Sequence, residues 1–351
     1  MRCRGSRTSR IHLHQALYQR LEISLDYHKK KDWFVILISE DVWSAEFEAL
    51  AKSFPLIREP ELWSNAEELK AKLATATALV VRNRTQVSRD LIASAKNLKI
   101  IARAGVGLDN IDVKAADEFG VVVSAALGIN ATAVGEETLA MALALSRKII
   151  ELDSSTREGQ WNRKAGVEIS GKTWGLLGFG ATARATAELL RGFKVKVLAY
   201  DPFAKPEQSY LDSINCQMSS LDEVISNSDF ISVHLPATSE TKEIIDSKKL
   251  SAMKKSALII SVGRGEVINE ADLEKALRDG VIAGAGLDVR AQEPPKDKRF
   301  TDLDNVILAP HIAGITHESQ AAINRVLVSE IRAALGSQVQ SYAVGSVKQA
   351  K

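Results

Sequence analysis

From Trp33 onward the chain alternates short apolar, β-branched runs with longer stretches whose apolar positions recur at helical spacing. WFVILIS at 33–39, ALVV at 78–81, LKIIARA at 98–104 and VVV at 121–123 are the strand candidates of a first half. A second set follows: WGLLGFG at 174–180, VKVLAY at 195–200, FISVHL at 230–235, ALIISV at 257–262 and IAGAGLDV at 282–289. Such near-continuous apolar runs belong to strands buried on both faces, and their exchange with helices predicts parallel sheets and an α/β fold. Between the sets, the Ala-, Leu- and Met-rich stretch from Ala131 to about Glu151 reads as one long helix capped by Asn130. A last helix is predicted from roughly His317 to Leu335, and the few residues after it leave no room for an appended domain.

Length and composition narrow the function classes. At 351 residues the chain is long enough for two domains. It is 45% hydrophobic and 26% charged, with no window approaching the roughly 20 apolar residues of a membrane span. Lys and Arg number 46 against 44 Asp and Glu, so a net charge of +2 gives no field that would hold nucleic acid or an anionic membrane. Cys3 and Cys216 cannot build a disulfide framework, which points to a reducing compartment, the cytoplasm. The near-neutral total hides a basic start. Residues 1–31 carry eight basic and two acidic side chains, leaving 38 against 42 in the remainder. That extension is read either as disordered or as an organelle transit peptide, and both readings stay open.

The turn Gly178-x-Gly180-x-x-Ala183 joins a predicted strand to a helix beginning near Ala181, and Asp201 ends the next strand. Small residues there allow a tight turn, close approach of backbone N–H groups to a diphosphate, and helix-on-strand packing. The helix N-terminus attracts the phosphates, and a carboxylate about 20 residues on binds a ribose 2′-OH while repelling a 2′-phosphate. NAD is therefore the expected cofactor. Because this turn falls mid-chain, the cofactor domain is expected as an insertion: residues 32–129 open the substrate domain, 130–315 form the NAD-binding domain, and 316–351 return to the first.

Chemistry is sought at strand ends. His311, Glu293 and Arg264 each follow a strand of the second set, where the C-terminal ends of parallel strands share one edge. An Arg fork binds a carboxylate, a His moves a proton near neutral pH, and a Glu orients the imidazole and raises its pKa. His234 either lines the cofactor site or is structural. No His, Asp or Glu spacing suits a metal, and none is expected.

The motifs VRNRT (81–85), RAGVGLDNID (103–112), GINATAVGEE (128–137), GKTWGLLGFG (171–180), HLP (234–236), GRG (263–265), GLDV (286–289), EPP (293–295) and PHIAG (310–314) together resemble the D-isomer-specific 2-hydroxyacid dehydrogenase family. The resemblance implies two Rossmann-like domains, a flavodoxin-like substrate domain with an inserted NAD-binding domain, in a homodimer built by the cofactor domains. It implies that Arg264 binds the substrate carboxylate, that His311 is the acid/base and that Glu293 orients it. Asp288 would engage the nicotinamide side, and Ala181 and Thr182 would meet the diphosphate. Leu235, Pro236, Val262, Gly263 and Gly314 would line the cofactor, and the loop Gly105, Val106, Gly107 would receive the substrate carboxylate. The chain departs from the family pattern at Ala125, Ala126 and Leu127, at Gly135 and at Ala183, of which the first two sites bear on domain closure.

Arg82 and Arg84 resemble the tail-binding arginines of phosphoglycerate dehydrogenases; the alternative is that they are merely solvated. The expected substrate is a small anionic 2-hydroxy acid, 3-phosphoglycerate first, with sulfolactate, glyoxylate or hydroxypyruvate as alternatives. A binding protein of another class, an NAD-sensing co-repressor, shares the resemblance.

Overall fold

The computed structural model describes residues 34–350, and the basic extension lies outside them. Among the described residues twelve strands, all paired in parallel, form two sheets, and the chain divides into two units.

The first unit comprises residues 34–127 and 320–350. Its strands are β1 (Ile36–Ile38), β2 (Leu56–Arg58), β3 (Ala78–Val81), β4 (Ile100–Arg103) and β5 (Val122–Ala125), in the order β2-β1-β3-β4-β5. This is the flavodoxin-like order, with a switch point between β1 and β3. Helices Ala45–Ala51, Ala66–Leu73, Arg89–Ser94 and Val113–Phe119 alternate with the strands. Leu79, Val81 and Ile101 of the inner strands pack with Leu73, Ile92 and Ala115 of the helices, all almost wholly buried.

The second unit comprises residues 128–319. It holds β6 (Thr173–Leu177), β7 (Lys196–Tyr200), β8 (Cys216–Met218), β9 (Phe230–Val233), β10 (Leu258–Ser261), β11 (Gly284–Leu287) and β12 (Val306–Leu308). The order β12-β11-β10-β9-β6-β7-β8 is that of a Rossmann sheet extended by one strand, and it reverses between β6 and β9. Successive residues Leu176 and Leu177 of β6 enter separate apolar clusters, so both faces of this central strand are covered. Helices Ala181–Leu190 and His317–Leu335 lie where the sequence places them, the latter starting in this unit and continuing into the first.

Two strands, β2 and β8, escape the sequence pattern, and each is an edge strand. Both are three residues long and only partly buried. An edge strand of that length carries no continuous apolar run. The single helix expected over Ala131 to Glu151 is instead two, Ala131–Ser146 and Ile149–Arg157. Lys148 breaks it with a left-handed backbone, φ 54°. Asn130 stands at the N-cap without a side-chain cap bond, because its amide lies against Gly314. Gly135, an expected departure, sits where its helix crosses the helix Ala181–Leu190: a Cβ would meet the Thr186 nitrogen at 3.2 Å. No described helix is long and apolar enough to cross a membrane.

Candidate active site

The glycine turn is built as its sequence requires. Gly178 has φ +94°, a conformation costly for any residue with a Cβ, and its N–H donates to the Tyr200 carbonyl at 2.8 Å. Gly180 caps the helix Ala181–Leu190 and faces open space, with nothing within 4 Å of where a Cβ would stand. Ala183 is fully buried, so alanine suffices at the third small position. Asp201 braces this turn from the end of β7. Its Oδ2 accepts the Phe179 N–H at 2.8 Å, and its Oδ1 accepts those of Phe203 and Ala204 at 2.9 and 3.0 Å.

His234 belongs to a buried polar chain. Trp174, fully buried in β6, donates Nε1–H to Ser232 Oγ at 2.9 Å. Ser232 Oγ lies 3.0 Å from His234 Nε2, and His234 Nδ1 lies 3.2 Å from Thr182 Oγ1. An indole N–H can only donate, so Ser232 Oγ accepts from Trp174, and the directions of the Ser232–His234 and His234–Thr182 bonds follow the tautomer of the ring. Burial pushes the His234 pKa down to about 3, which keeps the ring neutral. His234 thus ties the strand end of β9 to the first turn of the helix Ala181–Leu190. Leu235 is buried and Pro236 exposed beyond it, and the carbonyl of Leu235 packs against Gly263.

Past β10, β11 and β12 the second unit assembles the predicted acid–base group. Glu293 Oε2 lies 2.6 Å from His311 Nδ1. The Glu293 hydrogen bond raises the His311 pKa, against burial and the nearby Arg264 charge, which lower it. Burial alone would raise the Glu293 pKa, but His311, the Arg290 N–H and the Arg264 charge hold it below the ordinary value. Arg264 follows β10 and Val262, and donates Nη1–H to the Gly263 carbonyl at 2.8 Å. At Gly265 a Cβ would collide with the Arg290 carbonyl carbon. Only glycine lets the arginine loop lie against the loop that carries Glu293.

Asp288, 1% exposed, shapes the turn that carries His311. Its backbone carbonyl accepts the His311 N–H at 2.8 Å, and its carboxylate accepts those of Ile312 and Ala313 at 2.7 and 3.0 Å. His311 itself has φ 58°, a left-handed conformation this grip sustains. A pocket of about 400 Å³ is lined by Asp288, Arg290, Glu293, Leu308, Pro310 and His311 among others. Asn130 Oδ1, next to Gly314, is buried without a hydrogen-bond partner among the described residues.

Two residues of this loop system went unread in the sequence. Arg290, buried, forms a two-point pair with Glu270, Nε to Oε1 at 2.9 Å and Nη2 to Oε2 at 3.0 Å. Glu270 Oε1 also accepts the Ala291 N–H at 2.8 Å, and the Arg290 N–H reaches Glu293 Oε1 at 3.0 Å. In sequence Glu270 is merely an acid at a helix start, where it suits the dipole.

In the first unit the turn Arg82–Thr85 follows β3 and is gripped by Glu40, itself 2% exposed. Glu40 Oε1 accepts the N–H groups of Arg82 and Thr85 at 2.7 and 3.0 Å, and Oε2 those of Asn83 and Arg84 at 3.2 and 3.0 Å. Asn110 Nδ2 adds bonds to the Arg82 and Thr85 carbonyls at 3.2 and 2.7 Å. The Arg84 guanidinium stands over the Trp63 ring, 4.9 Å from its centroid. Beyond β4, Gly105 adopts φ +153° with the Arg103 guanidinium against it, and Val106 and Gly107 are partly exposed. A carboxylate ending an apolar run, ISE at 38–40, was the available signal for Glu40.

Residues 139–313 match the family model for the D-isomer specific 2-hydroxyacid dehydrogenase, NAD binding domain. A hydroxypyruvate reductase of Thermotoga maritima is 41% identical over 275 residues, covering 77% of this chain and 88% of that protein. A D-3-phosphoglycerate dehydrogenase of Archaeoglobus fulgidus is 38% identical over 299 residues, covering 84% of this chain and 56% of the relative. The chain spans about half the length of the phosphoglycerate dehydrogenases it matches. Among solved structures, a glyoxylate reductase from Paecilomyes thermophila aligns with a TM-score of 0.80 at 28% identity, over 89% of this chain and 98% of that one. A Rossmann sheet with a braced glycine turn, a Glu–His pair at its C-terminal edge and a 41% identical relative matched over 88% of its length place this chain in the D-isomer-specific 2-hydroxyacid dehydrogenase family.

Proposed function

We propose that the chain is an NAD-dependent D-2-hydroxyacid dehydrogenase acting on a small acid with a second anionic group, 3-phosphoglycerate and phosphohydroxypyruvate first. The carrying observation is the Glu293–His311 pair on adjoining strand-end loops, with Arg264 close enough to perturb both pKa values.

The residues present fit a dinucleotide. The open face of Gly180 leaves room and the unpartnered Asn130 Oδ1 an acceptor, while a Cβ at Gly178 would stand 3.3 Å from the His234 carbonyl carbon. Gly178, Gly180, Ala181 and Thr182 would hold the diphosphate at the helix N-terminus, and Asp201 the ribose. Leu235, Pro236, Val262, Gly263, Asp288 and Gly314 would line the remainder. When bound, the nicotinamide supplies or takes up the hydride. The rest of the chemistry falls to side chains. Arg264 holds the carboxylate by its fork, and protonated His311 gives the proton from Nε2 to the C2 oxygen during reduction. Glu293, on Nδ1, fixes the ring and favours the charged form.

Arg82 and Arg84 support the dianionic substrate, since two guanidinium groups suit a phosphate or sulfonate better than a hydroxyl. The likeness to a hydroxypyruvate reductase over nearly all of that protein favours a second reading, in which the tail is uncharged. The test is NADH oxidation with phosphohydroxypyruvate, hydroxypyruvate and glyoxylate. A higher kcat/KM for the phosphorylated acid is expected, and equal values would reject the dianionic substrate. Exposed Ile149, Ile150, Trp161 and Val167 support a homodimer through the second unit. The buried free thiol of Cys216 suits the cytoplasm.

A further inference from the structure

We infer that Glu40 and Trp63 are positioning residues for substrate specificity, holding the turn Arg82–Thr85 as a preformed receptor for the substrate's second anionic group. The inference rests on the proposed reading of Arg82 and Arg84 as contacts of that group.

Successive backbone N–H groups that converge on one point form an anion cradle. In this turn the four consecutive N–H groups of Arg82, Asn83, Arg84 and Thr85 converge on the chain's own carboxylate, Glu40, in the interior. With Asn110 on the carbonyls of Arg82 and Thr85, the backbone of the turn is fixed from both its donor and its acceptor groups. Glu40 does this through the backbone alone, so it leaves the guanidinium donors for another partner. Among the described residues no carboxylate pairs with the side chain of Arg82 or Arg84, although each belongs to a chain rich in such pairs.

Two like charges two positions apart repel and ordinarily spread into solvent. Trp63 prevents that for Arg84. A guanidinium held by its face over an aromatic ring keeps its N–H edge for an anion in its own plane, and it loses less rotamer freedom when the anion arrives. A buried carboxylate and an aromatic ring therefore prepare a pair of unneutralised cations, an arrangement suited to a phosphate or sulfonate and of no use to a neutral hydroxymethyl tail.

The experiment compares kcat/KM for phosphohydroxypyruvate and hydroxypyruvate in the wild type, Arg84→Ala, Trp63→Leu, Trp63→Phe and Glu40→Gln, each checked for folding by circular dichroism. Trp63→Leu is expected to lower the preference for the phosphorylated acid by about three- to fivefold, through its KM, with Trp63→Phe restoring most of it. Glu40→Gln, which turns an amide N–H toward N–H donors, should lower the ratio further. If wild type prefers the phosphorylated acid and Arg84→Ala loses that preference while folded Trp63→Leu and Glu40→Gln keep it, the inference is wrong and the reading beneath it stands. An equal loss on both substrates likewise overturns it. If wild type shows no preference, both fall. Should Glu40→Gln fail to fold, the Trp63 pair decides.

Discussion

Glu293 Oε2 and His311 Nδ1 lie 2.6 Å apart, joined across two strand-end loops. The pairing raises the pKa of the imidazole and lowers that of the carboxyl. Reduction needs the protonated ring, so Glu293→Gln should move the alkaline limb of the kcat/KM profile to lower pH and slow the reaction by roughly tenfold or more. A profile that keeps its limb in place would mean that Glu293 does not set the proton on His311.

The same pair gives folding stability a signed pH dependence. The His311 contribution is fully present below its unfolded pKa and is lost as pH rises through the raised folded value. The Glu293 contribution is present above its unfolded pKa and is lost as pH falls through the lowered folded value. Urea unfolding of wild type and Glu293→Gln should therefore differ most between those limits, the part of the difference owed to the His311 charge vanishing at both extremes. Exposure of both side chains, 45% and 37%, keeps the difference small.

Arg264→Lys retains the charge but loses the planar fork. The expected loss in kcat/KM is about 10- to 100-fold, from roughly 1.5–3 kcal/mol of charge-assisted hydrogen bonding, with KM for the 2-oxo acid rising. Steady-state kinetics with one 2-oxo acid at saturating NADH measures it.

Glu270→Ala would leave Arg290 buried without its two-point partner. A loss of about 3–5 kcal/mol in denaturant unfolding is expected. Because Arg290 also presents its N–H to Glu293, kcat should fall even in the fraction that folds. A companion Glu270→Ala/Arg290→Met variant, which removes both charges, should recover most of the stability.

Asp201→Ser should raise kcat/KM for NADPH relative to NADH, because the carboxylate that repels a 2′-phosphate is gone. It should also lower stability by about 1–3 kcal/mol, since the Phe179 N–H loses a charged acceptor. Parallel assays with both coenzymes and a melting curve separate the two effects.

The inner strands were legible because parallel strands covered on both faces read as apolar runs, as ALVV and ALIISV do. β2 and β8 were not, because edge position and brevity leave them without such a run. The break at Lys148 has no local sign: its neighbours Arg147, Ile149 and Ile150 would continue a helix, and only the tertiary course of the chain turns it. Among the site residues, Arg264, Glu293 and His311 stood out by type and place. Glu40, Glu270 and Arg290 act through backbone N–H groups and a pair far apart in sequence, contacts that no spacing rule encodes.

The strand order of the second sheet also works as a ruler. Asp201 leaves β7 and His311 follows β12, and in the order β12-β11-β10-β9-β6-β7 those strands stand five places apart. At about 4.8 Å per place, a molecule touching both must reach roughly 20–25 Å along the edge. Neither half of a dinucleotide alone could bridge that distance. On the proposed reading, with Asp201 and His311 both serving the cofactor, the sheet would select it by length before any side chain reads its chemistry.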